Sequence, residues 1–86
     1  MPIKFSDRAW DDYLFWQQAD KAVIKRIHIL LKDIQHTPFE GLGKPEPLRH
    51  NLSGFWSRRI DEQHRLVYAI EDDCILVAQC RYHYQT

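Results

Sequence analysis

The residues of this 86-residue chain that could carry chemistry are mostly arginines. Arg59, Arg65 and Arg81 fall in its second half, and His83 stands close to the last of them. Arginine presents a planar fork of donors that matches phosphate oxygens and keeps its charge. Histidine exchanges a proton near neutral pH. A carboxylate would complete an acid–base pair, and Glu40 and Glu46 are both available upstream. Such a set suits RNA cleavage by transesterification. A base takes the proton of a ribose 2′-hydroxyl, and the oxygen attacks the adjacent phosphorus. An acid protonates the departing 5′ oxygen, and cations hold the charge of the phosphorane. General acid and general base each contribute roughly 10²- to 10⁴-fold, and well-placed charge donors add to this. Arginine and glutamate on a sheet are as often plain solvated surface, so residue types alone leave both readings open.

Convergence of these side chains depends on the elements that carry them. Ile3-Lys4-Phe5 reads as a short strand. Ser6 is placed to cap a helix over 7–18, with Ala9, Trp10, Tyr13, Leu14 and Gln17 at helical spacing. Asp20 caps a second helix, where Val23, Ile24, Ile27, Leu30, Leu31 and Ile34 recur at the helical period until Thr37-Pro38 ends the pattern. Phe15, Trp16 and Ile29 fall partly off these core faces and are candidates for a partner surface or for core packing. From 37 to 54 periodicity gives way to three prolines and three glycines, a long loop of the kind that often carries function. Three strands follow, over 55–60, 64–70 and 74–82, joined by the turns Asp61-Glu62-Gln63 and Glu71-Asp72-Asp73. The order specifies an α+β domain spanning 1–86. A two-helix hairpin packs on one face of a small, mainly antiparallel sheet, and the other face is free. Strand parity sets Arg59 with Ser57, Arg65 with Val67, and Arg81 with His83, so three arginines and a histidine converge if each meets the free face.

Composition narrows the partners. The formal net charge is zero, from 12 basic and 12 acidic side chains, which argues against a general nucleic-acid coat protein. Between Lys44 and Arg65, however, five basic side chains face three acidic ones, so positive charge is local to the middle of the chain. Cys74 and Cys80, six apart in one apolar strand, share a face and read as buried small hydrophobes of a reducing compartment. No His-x-x-x-His or Cys-x-x-Cys pair occurs, so neither metal nor cofactor is expected. Gly41-Leu42-Gly43-Lys44 lacks the spacing and the strand–helix setting of a phosphate loop. Met1-Pro2-Ile3-Lys4 opens on charged sequence and no apolar run reaches membrane-spanning length, as expected of a soluble cytoplasmic protein.

Several blocks are more specific. Pro38-Phe39-Glu40-Gly41-Leu42-Gly43-Lys44-Pro45-Glu46-Pro47-Leu48 runs on to Asn51-Leu52-Ser53-Gly54 and Trp56-Ser57-Arg58-Arg59-Ile60. His64-Arg65-Leu66-Val67-Tyr68 and Arg81-Tyr82-His83-Tyr84 follow, and Trp10-Asp11-Asp12-Tyr13 lies near the start. Together they resemble the YoeB toxins of the RelE-like superfamily, Txe-like members included, over nearly the whole chain. The resemblance implies the toxin of a type II toxin–antitoxin pair, which binds the ribosomal A site and cuts mRNA there. It also implies a homodimer and inhibition by a YefM-like antitoxin. By the same resemblance Glu46 is the general base, His83 the general acid and Arg65 the stabiliser of the phosphorane. Arg59 and Tyr84 position the scissile phosphate, and Lys44 and Arg49 contact nucleic acid. Arg49 stands where relatives often carry lysine, and Gln85-Thr86 extend past the terminal tyrosine as an expected disordered tail. A base that must be ionised and an acid that must be protonated give a bell-shaped pH dependence. A non-cleaving module on the ribosome, or a ribonuclease that needs no ribosome, are the competing readings.

Overall fold

The protein is described here by a computed structural model that covers residues 1–84; the Gln85-Thr86 tail lies outside the described residues. Strand β1 (Ile3–Phe5) leads into helices α1 (Asp7–Ala19) and α2 (Lys21–His36). Then come β2 (Glu46–Pro47), a 3-10 turn over His50–Leu52, β3 (Trp56–Arg59), β4 (Arg65–Glu71) and β5 (Cys74–Gln79). The sheet order is β1-β5-β4-β3-β2; β1 lies parallel to β5 and the other pairs are antiparallel. This is the expected α+β arrangement, with two additions inside the long loop: β2 and the 3-10 turn. A strand of two residues is too short to leave a periodic signal.

Local chemistry fixes the elements. The Ser6 hydroxyl accepts from the Ala9 amide, and Asp20 accepts from Ala22 and Val23, so both helices start on side-chain caps. The β4–β5 turn has Asp72 and Asp73 both at positive φ, 50° and 61°, the geometry of a two-residue hairpin that follows the strand twist. Val23, Ile27, Leu30, Leu31 and Ile34 of α2 bury against Leu66, Tyr68, Ile75 and Val77 of the sheet. Helix α1 is rotated from the expected face. Ala9, Asp12 and Trp16 turn inward, while Trp10 and Leu14 stay 48% and 40% exposed. The cause is polar: Asp12 accepts from the Cys80 amide and the Trp16 indole donates to the Cys80 carbonyl. Trp16 therefore belongs to the core and not to a partner surface.

Strand β5 ends earlier than its composition suggests. Val67 pairs with Gln79 but Tyr68 pairs with Val77, so Ala78 is an extra residue, a bulge. The Ser6 hydroxyl donates to the bulged Ala78 carbonyl at 2.9 Å. The bulge flips side-chain parity, which corrects the expectation that the two cysteines share a face. Cys80 enters the core beside Ala9, whereas Cys74 stays half-buried at the other end of the strand. Burial, with the nearby Asp12 charge, pushes the Cys80 thiol up to about 12. Alkylation requires thiolate. Iodoacetamide is therefore expected to modify Cys74 and spare Cys80 in the native protein, with both reacting in urea; equal native rates would contradict the bulge.

The third determinant is Arg58, fully buried on the helix side of β3. Its guanidinium donates to the Asp33 carboxylate, the Tyr68 hydroxyl and the carbonyls of Thr37, Glu40 and Leu42. Those five bonds match the five N–H donors of the group. They gather residues 37–42 against the core. Gly43, at φ 79°, lets the chain pass within 3.0 Å of Leu30 and 3.2 Å of Arg58 measured from where a Cβ would sit. The Gly-Leu-Gly-Lys run thus serves loop packing, in keeping with its rejection as a phosphate loop.

Candidate active site

Cross-strand register builds the face of the sheet opposite the helices, which is not free across its middle as expected: Ser57, Val67 and Gln79 are buried. Glu46 is opposite Ser57, Ser57 opposite Val67, and Val67 opposite Gln79, which makes one row across four strands. Two residues along, Arg59 is opposite Arg65. Directly paired residues of an antiparallel sheet have Cβ atoms roughly 5 Å apart on one face. The Arg59 amide also donates to the Gly43 carbonyl at 2.7 Å, which brings Lys44 to the end of this second row. Lys44, Glu46 and Arg59 are exposed and Arg65 is half-buried.

Like charges set directly opposite each other destabilise a sheet. Among the described residues, no carboxylate forms an ion pair with Arg59 or Arg65. The register therefore sets two arginines directly opposite each other without a carboxylate counter-charge, a setting relieved by a bound anion such as a phosphate. Arg65 is steadied through Nη1, which donates to the carbonyls of Asp61 and His64 at 2.7 and 3.1 Å. The Asp61 carboxylate caps that turn by accepting from the Gln63 and His64 amides.

Two depressions each take in one end of the first row, Glu46 or Gln79. One, of about 260 Å³, is lined by Glu46, Pro47, Leu48, Arg49, His50 and Tyr84. The other, of about 480 Å³, is lined by Arg8, Leu52, Gln79, Tyr82 and His83. The C-terminal segment thus brings Tyr84 beside Glu46 and Arg49, and His83 beside Gln79. The His83 ring lies 4.5 Å from that of Tyr84, and its Nδ1 is 3.2 Å from the Tyr84 carbonyl. A carbonyl only accepts, so Nδ1 donates there and Nε2 is the nitrogen left for proton exchange.

Arg81 does not join the cluster. Its guanidinium stacks 3.5 Å from the Phe15 ring centroid on α1 and 4.5 Å from that of Tyr82. The chain has left the sheet by then, so strand parity no longer applies to Arg81 or His83. Glu40 is also elsewhere: its carbonyl is one of the Arg58 acceptors on the helix side, whereas Glu46 lies in the sheet. Arg58 adds nothing to the charge of the face, because its partner is Asp33. Parity already sets Ser57 on the face of Arg59, whereas His50, which lines the depression at Glu46, and Gln79, which lines the one at His83, are not singled out by sequence reasoning. Gln79 joins the row that begins at Glu46 only because of the bulge, and the bulge itself leaves no sequence mark.

The whole architecture recurs in known proteins. Residues 5–84 match the model of the YoeB-like toxin of bacterial type II toxin–antitoxin systems. The chain is 64% identical over 84 residues to the toxin YoeB of Escherichia coli strain K12, covering 98% of this chain and 100% of that protein. Its fold is similar to the YoeB/ParE toxin from Agrobacterium tumefaciens, with a TM-score of 0.95 and 44% identity over 98% of this chain and 100% of that one. Two structures from Staphylococcus aureus, a YoeB–YefM complex and a YoeB dimer, are similar at TM-score 0.91, with 48% and 49% identity and 98% of each chain covered.

Proposed function

The chain belongs to the YoeB-like toxins of type II toxin–antitoxin systems, and from that premise we propose that it is an endoribonuclease that cuts mRNA in the ribosomal A site. The observation that carries this reading is the facing Arg59–Arg65 pair beside Glu46. Glu46 takes the 2′-hydroxyl proton, and the 2′ oxygen attacks phosphorus to give a 2′,3′-cyclic phosphate. Arg65 holds the non-bridging oxygens as the phosphorane gains charge. His83 delivers a proton through Nε2 to the 5′ oxygen that leaves. Arg59 and Tyr84 set the scissile phosphate in line, and Lys44 and Arg49 hold the neighbouring backbone. The single domain is the catalytic unit, acts in the cytoplasm and uses neither metal nor cofactor.

Dependence on the ribosome follows from charge. The face has local positive charge, but the chain as a whole is neutral. Binding free RNA draws on many phosphate contacts, so a neutral chain this small relies on another body to hold its substrate. The partners of the S. aureus relatives suggest a YefM-like antitoxin and a second copy of the chain. Exposed Trp10 and Leu14, one turn apart on α1, give such a partner an apolar strip to bury.

The test is cleavage of mRNA with and without ribosomes, with the cut ends mapped. Fragments that end in 2′,3′-cyclic phosphate only when ribosomes are present are expected. Intact mRNA under translational arrest would favour a non-cleaving module, and equal cleavage of naked RNA would remove the ribosome from the mechanism. The rate should follow a bell-shaped pH profile; a flat profile with His83→Gln at the wild-type rate would displace His83 as the acid.

A further inference from the structure

Past Gln79 the described residues have no sheet partner of the regular kind, yet their backbone is held at nearly every step. The Tyr82 amide donates to His64 Nδ1 at 2.7 Å. The Tyr82 carbonyl accepts from the Arg65 amide at 3.0 Å. The Gln79 side-chain amide donates twice, to the carbonyls of Arg81 at 3.2 Å and His83 at 3.3 Å. Tyr82 takes the left-handed conformation, φ 67°, so the segment turns sharply there. Such a conformation in a non-glycine residue persists only where its surroundings over-determine it. Side chains, with the Arg65 amide, do that work in place of a strand ladder.

We propose that His64 and Gln79 are positioning residues that clamp the Arg81–His83 backbone and so present His83 and Tyr84 to the site; this rests on the catalytic reading given above. Gln79 is a buried polar side chain in the row that begins at Glu46. A buried amide in a strand is costly unless its donors are used, and both of its bonds go to the tail. The His64 ring is fixed in turn, 4.8 Å from Trp16 in an edge-to-face contact. His83 is exposed and Tyr84 half-buried, so neither has core packing to hold it in place. Chain ends without such ties are poorly ordered. The clamp converts a loose terminus into a fixed acid, and position matters because a displacement of about 1 Å can cost about a hundredfold in rate.

The experiment pairs kinetics with a direct reading of the tail. Gln79→Leu removes both donors at similar volume, and His64→Phe removes the acceptor but keeps the ring against Trp16. Each is expected to lower kcat for ribosome-dependent cleavage by roughly ten- to a hundredfold, with KM little changed. His64→Asn, which keeps an acceptor at the same branch point, should recover much of the loss. In 15N relaxation of the purified protein, the His83 and Tyr84 amides should become mobile in Gln79→Leu and His64→Phe. In a His83→Gln background, Gln79→Leu should cause a smaller further loss of rate than it does in wild type, because only the placement of Tyr84 is then left to lose. Amides as ordered as in wild type, with kcat within about twofold, would overturn the clamp. A mobile tail in Gln79→Leu together with full activity of His83→Gln would uphold the clamp and overturn His83 as the acid.

Discussion

Replacing Glu46 by Gln is expected to cut ribosome-dependent mRNA cleavage by roughly 10²- to 10⁴-fold, the usual contribution of a general base. Folding should be untouched. Glu46 is exposed, lies in a strand of two residues and forms no ion pair among the described residues. Substitution at such a surface position commonly changes stability by less than about 0.5 kcal/mol. Gln keeps the length and one acceptor oxygen but cannot hold the proton that a base must take. Affinity for ribosomes should survive, because Lys44, Arg49, Arg59 and Arg65 remain. Arg65→Ala should also abolish most cleavage, and Arg65→Lys should recover little of it, since an ammonium lacks the planar two-pronged donor set. Glu46→Gln at wild-type rate, with the thermal midpoint unchanged, would remove Glu46 from the base role and reopen the choice of carboxylate.

Arg58→Leu is expected to destabilise the protein by about 3–5 kcal/mol, because several acceptors lose their donor at once and each buried group left unsatisfied costs about 1–3 kcal/mol. A domain of this length has only about 4–13 kcal/mol to lose. The loss has a visible origin: the Asp33 carboxylate, three loop carbonyls and the Tyr68 hydroxyl all lose their common donor. Arg58→Lys would restore the charge but at most three of the five donors. Urea unfolding at neutral pH measures the effect, and a loss under about 1 kcal/mol would contradict the assigned network. Acid provides an independent check. The Leu42 amide, followed by the Arg58 guanidinium, holds the Asp33 carboxyl below its ordinary 3.8. A lowered folded-state value means that this stabilisation is complete above pH 3.8 and is lost as pH falls through the lower, native value. Wild type should therefore lose more stability below about pH 4 than Asp33→Asn does. The same network carries the loop that leads to Lys44 and Glu46, so partly folded Arg58 variants should also cleave slowly.

Much of the frame was legible in the residues. Ser6 and Asp20 marked both helix starts, and the α2 periodicity named five buried residues that the core contains. Branched residues and paired turn signals located three strands to within a few residues. These features are local: a cap, a helical stripe and a hairpin turn are decided within a few residues of sequence. The blocks around Glu46, Arg59, Arg65 and His83 supplied the family, because their resemblance to it runs through nearly the whole chain. They left the roles of single residues as expectations to be tested by substitution.

The rest depended on contacts between distant residues. Arg58 and Arg59 are adjacent, alike in type and indistinguishable by composition, yet one is sealed beneath the helices and the other faces solvent. Strand parity separates their faces, but only the approach of Asp33 and the Pro38–Leu42 loop makes burial of a guanidinium tolerable. The bulge at Ala78 is likewise met by a distant partner, the Ser6 hydroxyl 72 residues away, and it reverses the parity that would have joined the cysteines. Beyond the bulge, Arg81 goes to Phe15 rather than to the other two arginines. The sequence by itself determined which residues could take a proton or hold a phosphate. Tertiary structure decided which of them meet, because register, bulge and tail position are set by hydrogen bonds between segments that are far apart in the chain.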